Sequence, residues 1–156
     1  MLNLNKVFTF SSHRHVIIGL GGPEVSYDSE EAMEKYEFVD YIIRGEGEMV
    51  MRDLMKHFHG EMDIKHVDGI TYRQDGKIIQ NKERMLLADL DLIPSPYENL
   101  DITEYENRIV YYETSRGCPF NCQYCLSSAI KGLRYFGIDR VKRDLKNLID
   151  ARVSQI

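Results

Sequence analysis

The chain has no tryptophan, four prolines and three cysteines in 156 residues, and it carries no long uninterrupted apolar run. Lacking such runs, it has no candidate membrane-spanning helix, which needs about 20 predominantly apolar residues. Three cysteines cannot all pair with one another, and all three fall between Cys118 and Cys125, which argues against a secreted disulfide framework. Residues 1–6 hold one lysine and no extended apolar stretch, so no secretory or transit signal is visible, and a soluble cytoplasmic protein is expected. A complete (β/α) barrel, which takes about 250 residues, cannot fit.

Positive charge is scarce before residue 108. Residues 1–107 hold eleven Lys/Arg against twenty-one Asp/Glu, whereas 108–156 hold nine against four. The formal net charge of -5 therefore averages an acidic part and a basic part. The basic tract at 140–152 reads first as a solvated helix face, and nucleic acid is not indicated.

The pattern that is present is an alternation of strands and helices. Val16-Ile17-Ile18-Gly19-Leu20 predicts a buried strand broken at Gly21-Gly22-Pro23, and Asp28 with Glu31 resembles a capping box opening a helix over 29–36. Residues 38–43 predict a second strand closed by Arg44-Gly45-Glu46-Gly47-Glu48. Met51, Leu54, Met55 and Phe58 then recur at helical spacing over 48–59. This order favours a parallel sheet covered by helices. Asp75-Gly76 predicts a β-hairpin over 69–79, and Pro94 and Pro96 predict a linker. Residues 108–114 predict a strand running into the cysteines, followed by a helix with Asp139 as its cap and Val141, Leu145, Leu148 and Ile149 on one face. Val153 to Ile156 read as the start of another strand.

The chemistry lies in Cys118-Pro119-Phe120-Asn121-Cys122-Gln123-Tyr124-Cys125, a C-x3-C-x2-C loop. Three thiolates can hold three irons of a [4Fe-4S] cubane and leave the fourth iron open to a small chelating molecule. A structural zinc site wants four ligands, commonly two C-x2-C pairs, and one such pair is present. Gly21 and Gly22 allow a sharp turn and a close backbone approach to a flat ligand at the carboxyl edge of a parallel sheet. His13 and His15 read as a solvated surface pair.

At Glu113 to Cys125 the chain resembles the radical S-adenosylmethionine (SAM) superfamily. The Gly21-Gly22-Pro23-Glu24 turn and the Asp40 to Glu48 stretch are similar to the B12-binding branch of that superfamily. The resemblance implies an α/β chain made of three parts: the C-terminal part of a cobalamin-binding Rossmann-like domain (1–60), a hairpin and Pro-containing linker (61–107), and the first βα unit of a partial (β/α)6 radical SAM barrel (108–156). It implies a radical SAM enzyme in which Cys118, Cys122 and Cys125 ligate a [4Fe-4S] cluster, Tyr124 lies near the SAM adenine, Arg116 offsets cluster or SAM charge, and Gly21 and Gly22 meet cobalamin. No catalytic residue is assigned beyond the cluster loop. Reductive cleavage of SAM to a 5′-deoxyadenosyl radical, with an electron from a flavodoxin or ferredoxin, belongs to the intact enzyme; methyl transfer is one outcome of such chemistry. The Asp-x-His-x-x-Gly signature of histidine-ligated cobalamin is not found. The alternative from another class is a non-catalytic iron-sulfur or zinc-binding interaction module.

Overall fold

Gly19–Leu20 (β1) and Tyr41–Ile43 (β2) pair in parallel, with Gly19 beside Tyr41 and Leu20 beside Ile42. This is a computed structural model, and it describes residues 16–98, 105, 107–120, 122–125 and 132–156. His13 and His15 lie outside the described residues. The chain divides into two units, Met1–Leu86 and Leu87–Ile156. Among the described residues no helix is long and apolar enough to cross a membrane.

In the first unit the parallel pair is extended by Ile70–Gln74 (β3) and Lys77–Gln80 (β4), both antiparallel to their neighbours, in the order β1-β2-β3-β4. The hairpin assigned by sequence to the 61–107 linker is therefore part of this sheet, and the all-parallel sheet is corrected to a mixed one. Asp75 and Gly76 both take positive φ, as a tight hairpin turn requires.

Period-2 alternation places the side chains of the sheet on two faces. Tyr41, Ile43, Ile70, Tyr72 and Ile79 pack with Val50 and Leu54 of Gly47–Phe58 (α3). Ile42 and Ile78 pack on the other face, against Val25 of Pro23–Ser26 (α1) and Met33 of Ser29–Lys35 (α2). Two corrections concern these helices. The core face of α3 is Val50, Asp53 and Leu54, while Met51, Met55 and Phe58 lie exposed on its flank, an adjacent stripe that periodicity cannot separate from the first. Asp28 is the N-cap of α2 without a side-chain capping bond.

Asp53, buried in α3, accepts from Arg84 and pairs with Arg52 at 2.9 Å. Arg84 Nε also donates to the Asp68 carbonyl at 3.4 Å, so the segment after β4 is tied down on the helix. Gly69 has φ 81°, and a Cβ there would meet Arg84 Cβ and Val50 Cγ2 at 3.1 Å, so glycine is required. Burial raises the Asp53 carboxyl pKa, but hydrogen bonds and charge from Arg52 and Arg84 outweigh it and hold the group below its usual value. A depressed folded pKa gives stability that is present above the unfolded value of about 3.9 and is lost as pH falls through the folded value. The thermal midpoint of Asp53→Asn is therefore expected to fall less between pH 7 and roughly pH 3 than that of the unsubstituted chain. Equal acid losses in melts followed by circular dichroism would reject this.

The second unit holds Ser115–Cys118 (β5) and Gly132–Tyr135 (β6), an antiparallel pair, and Ile138–Asp150 (α4). The strand expected at 108–114 begins only at Ser115. Before it, Ile109 makes a single parallel bridge to Gln155, and the Val110 N–H donates to the Gln155 carbonyl at 2.9 Å. Helix α4 buries Val141, Asp144 and Leu148. Its N-cap is Gly137 and not Asp139, which sits in the first turn. The capping acceptor is Asp91, whose carboxylate takes the Gly137 N–H at 3.0 Å from 46 residues earlier. A side chain at 137 would strike that carboxylate, since a Cβ would lie 2.4 Å from Asp91 Oδ2. The Pro-containing segment is likewise a docked strap within this unit. Arg134 donates to the Leu87 carbonyl at 2.8 Å, Arg140 to the Leu90 carbonyl at 3.3 Å, and Asn147 to the Tyr97 carbonyl at 3.4 Å.

Candidate functional site

The thiol loop leaves the sheet at the end of β5. Gly117, at φ 91°, takes a conformation that L side chains avoid, and it delivers the chain to Cys118, which pairs with Gly132 on β6. A glycine opposite Cys118 leaves no side chain on that rung to crowd the sulfur. Farther along, the Cys125 N–H donates to the Cys122 carbonyl at 3.1 Å, closing a backbone turn between these two cysteines. All three cysteines are half-buried. The hydrophobic side chains of the loop turn outward instead: Phe120 is 69% exposed and Tyr124 is 93% exposed.

The donor chemistry fits an iron-sulfur cluster. The loop supplies three soft thiols, partly shielded from water, and the described part of the C-x3-C-x2-C stretch offers no competing carboxylate or imidazole. Among the described residues no three His, Cys, Asp or Glu side chains converge as ligands of a single ion would. A cubane makes a different demand, since each thiolate takes its own iron.

Arg116 lies two residues before Cys118. Its Nε donates to Glu113 Oε2 at 2.8 Å, and its guanidinium lies 5.9 Å from the centre of the Phe136 ring. The pairing register sets Arg116 directly opposite Arg134. In the segment before β5, Tyr112 donates to Asp144 Oδ2 at 3.2 Å. Burial, then the negative charge of Asp144 and the bond to it, push the Tyr112 phenol up to about 12.

Thus Cys118, Cys122, Cys125, Tyr124 and Arg116 share the second unit. Gly21 and Gly22 belong to the first, directly after β1 at the carboxyl end of the parallel pair. Gly22 has φ 98°, and no atom lies within 4 Å of where its Cβ would be; the same holds for Gly45, at φ 72°, after β2. Both turns therefore leave open space at one sheet edge.

Sequence reasoning missed β6, with Arg134 and Phe136, and missed Asp91. The local signal for β6 is the short apolar–polar–apolar run Leu133-Arg134-Tyr135 after Gly132, and no local signal exists for Asp91.

No family model matches the chain. An uncharacterized methyltransferase of Pyrococcus horikoshii is 34% identical over 142 residues, which are 87% of this chain and 31% of that protein. The anaerobic magnesium-protoporphyrin IX monomethyl ester cyclase of Synechocystis is 33% identical over 115 residues, 71% of this chain and 23% of that protein. The cobalamin-dependent radical SAM methyltransferase TokK of Streptomyces tokunonensis is 29% identical over 143 residues, 85% and 21% of the two chains. Among solved structures, the cobalamin-dependent S-adenosylmethionine radical enzyme OxsB with aqua-cobalamin bound matches with a TM-score of 0.73 and 25% identity, over 95% of this chain and 21% of that one. The chain spans about a fifth to a third of the length of these relatives.

Proposed function

We propose, from the premise that this chain is homologous to cobalamin-dependent radical SAM enzymes, that it carries the cluster-binding loop of such an enzyme. The observation that carries the reading is the three half-buried thiols delivered by the end of β5 and the Cys122–Cys125 turn. Cys118, Cys122 and Cys125 hold the [4Fe-4S] cluster. When bound, the cluster supplies the electron that cleaves SAM to methionine and a 5′-deoxyadenosyl radical.

The chain's own residues bind and orient. Tyr124, standing out from the loop, offers its ring face to the SAM adenine. Arg116 contributes positive charge beside the thiols. The open edge after Gly21 and Gly22 gives a corrinoid room for close backbone approach. In this reading residues 1–60 correspond to the end of a cobalamin-binding Rossmann-like domain, and 108–156 to the start of a radical SAM barrel. The parallel Ile109–Gln155 bridge that flanks α4 supports the beginning of a βαβ unit. The reaction of the intact enzyme is methyl transfer or a related cobalamin-linked step, with the electron drawn from a flavodoxin or ferredoxin. Three thiols that must stay reduced to take up iron suit the cytoplasm.

The test is anaerobic reconstitution with iron and sulfide, followed by electron paramagnetic resonance of the reduced sample with and without SAM. A cubane signal that changes on adding SAM is expected, because an iron lacking a protein ligand can be chelated. A cluster indifferent to SAM indicates the non-catalytic module instead. Tetrahedral zinc with no cluster rejects the reading.

A further inference from the structure

We propose that Asp91 is a positioning residue for the thiol loop: through it the strap over 87–98 holds β6, the leg on which the loop returns to the sheet. This rests on the cluster reading above, and three observations carry it.

The first is where β6 stands. Cys118 is the last residue of β5 and Gly132 the first of β6, and the two share a rung. Cys122 and Cys125 lie on the connection between them. If β6 parts from β5, the two ends of that connection part as well.

The second is that β6 buries little of its own. Leu133 is 36% exposed and Tyr135 is 66% exposed. Among the described residues β5 and β6 form a sheet of two strands, and two paired strands alone are marginally stable in water. Something outside the hairpin has to hold it.

The third is that the strap supplies those ties. Arg134, in the middle of β6, donates to the Leu87 carbonyl at 2.8 Å. Just past the strand, the Gly137 N–H is shared by both oxygens of Asp91, at 3.0 and 3.1 Å. Arg140 Nη1 lies 3.8 Å from Asp91 Oδ1 and donates to the Leu90 carbonyl, and the same guanidinium lies 4.6 Å from the ring centre of Phe136, the residue between β6 and Gly137. Leu90, beside Asp91 in the chain, is fully buried, so the carboxylate reaches Gly137 from an anchored point. The fit is close, since a Cβ on residue 137 would lie 2.4 Å from Asp91 Oδ2. Asp91 therefore passes the anchorage of the strap to the end of β6. It acts on the thiols through that strand and is not itself a ligand.

The experiment is amide hydrogen exchange on the full chain, followed by the rate at which the reconstituted cluster is lost to a ferrous-iron chelator. Asp91→Ala is expected to speed exchange over 133–137 roughly 5- to 10-fold, the size of one lost hydrogen bond, to leave 145–150 unchanged, and to speed cluster loss by a similar factor. Asp91→Asn, whose amide oxygen can accept the same N–H, stays near the unsubstituted chain. Gly137→Ala pushes the carboxylate aside and should reproduce Asp91→Ala, and in Asp91→Ala/Gly137→Ala the two effects should not add. Should Asp91→Ala fail to fold, Gly137→Ala decides. Cluster loss unchanged in the single variants, or exchange rising equally throughout α4, overturns this inference and leaves the cluster reading standing. No cluster in the unsubstituted chain overturns both.

Discussion

Cys122→Ala is expected to reduce cluster uptake on anaerobic reconstitution to background while leaving the fold intact. The two parts of this result have separate causes. Cys122 lies on the connection beyond β5, outside the regular elements, and is half-buried. Truncating one sulfur there is expected to cost about 1 kcal/mol or less, the ordinary size of a single substitution. The loss of cluster is cooperative, because three thiolates attach one rigid body. With two left, a second iron loses its anchor and the cluster dissociates or is attacked by solvent. Iron and sulfide analysis should read near zero, and the far-ultraviolet spectrum and urea midpoint should match those of the unsubstituted chain. Retention of most of the iron would mean that the loop does not hold the cluster through this residue. A collapse of the fold would mean that Cys122 serves packing instead.

How well the sequence announces each part depends on whether the cause is local. The hairpin over 70–80 is legible because Asp75-Gly76 dictates its own turn, and the helix over 47–58 because its apolar spacing is regular. The membership of that hairpin is not legible. It completes a mixed sheet because Ile70 and Tyr72 on one face, and Thr71 on the other, find partners on helices far away in sequence. Strand β6 is faint in the sequence because its apolar alternation spans only Leu133-Arg134-Tyr135, and the fold exposes Leu133 and Tyr135 while half-burying Arg134, the reverse of what that alternation signals. The cap of α4 escapes because its acceptor comes from Asp91, so the nearer Asp139 looks like the better candidate. The cysteine loop is the opposite case. Its chemistry is contained in eight consecutive residues, and the fold adds the Gly117 turn, the bare rung at Gly132 and the Arg116–Glu113 pair around it.

The strap over 87–98 is where a reading from prolines and a reading from contacts differ most, and Arg140 is the residue that decides between them. Its side chain is 11% exposed, and Asp144, one helical turn on, is 1% exposed. Arg140 Nε lies 3.6 Å from Asp144 Oδ2, its Nη1 donates to the carbonyls of Leu90 and Ile93, and its guanidinium lies 4.6 Å from the Phe136 ring centre. One cation therefore neutralises a buried carboxylate and ties the strap to α4. Arg140→Ala is expected to destabilise the second unit by about 3–5 kcal/mol, because it leaves Asp144 charged in the interior with Tyr112 as its remaining hydrogen-bond donor of those described above. Against a total stability of about 5–15 kcal/mol for an ordinary domain, that is enough to remove a cooperative transition. Loss of charge and loss of packing are separated by the double variant Arg140→Met/Asp144→Leu. Replacing a buried pair by apolar side chains of similar volume is often neutral, so the double variant should be more stable in urea than Arg140→Ala. If Arg140→Ala costs less than about 1 kcal/mol, a value ordinary for an exposed ion pair, the strap is not anchored through this side chain. If the double variant is as unstable as Arg140→Ala, the cost comes from lost strap contacts rather than from the uncompensated charge of Asp144.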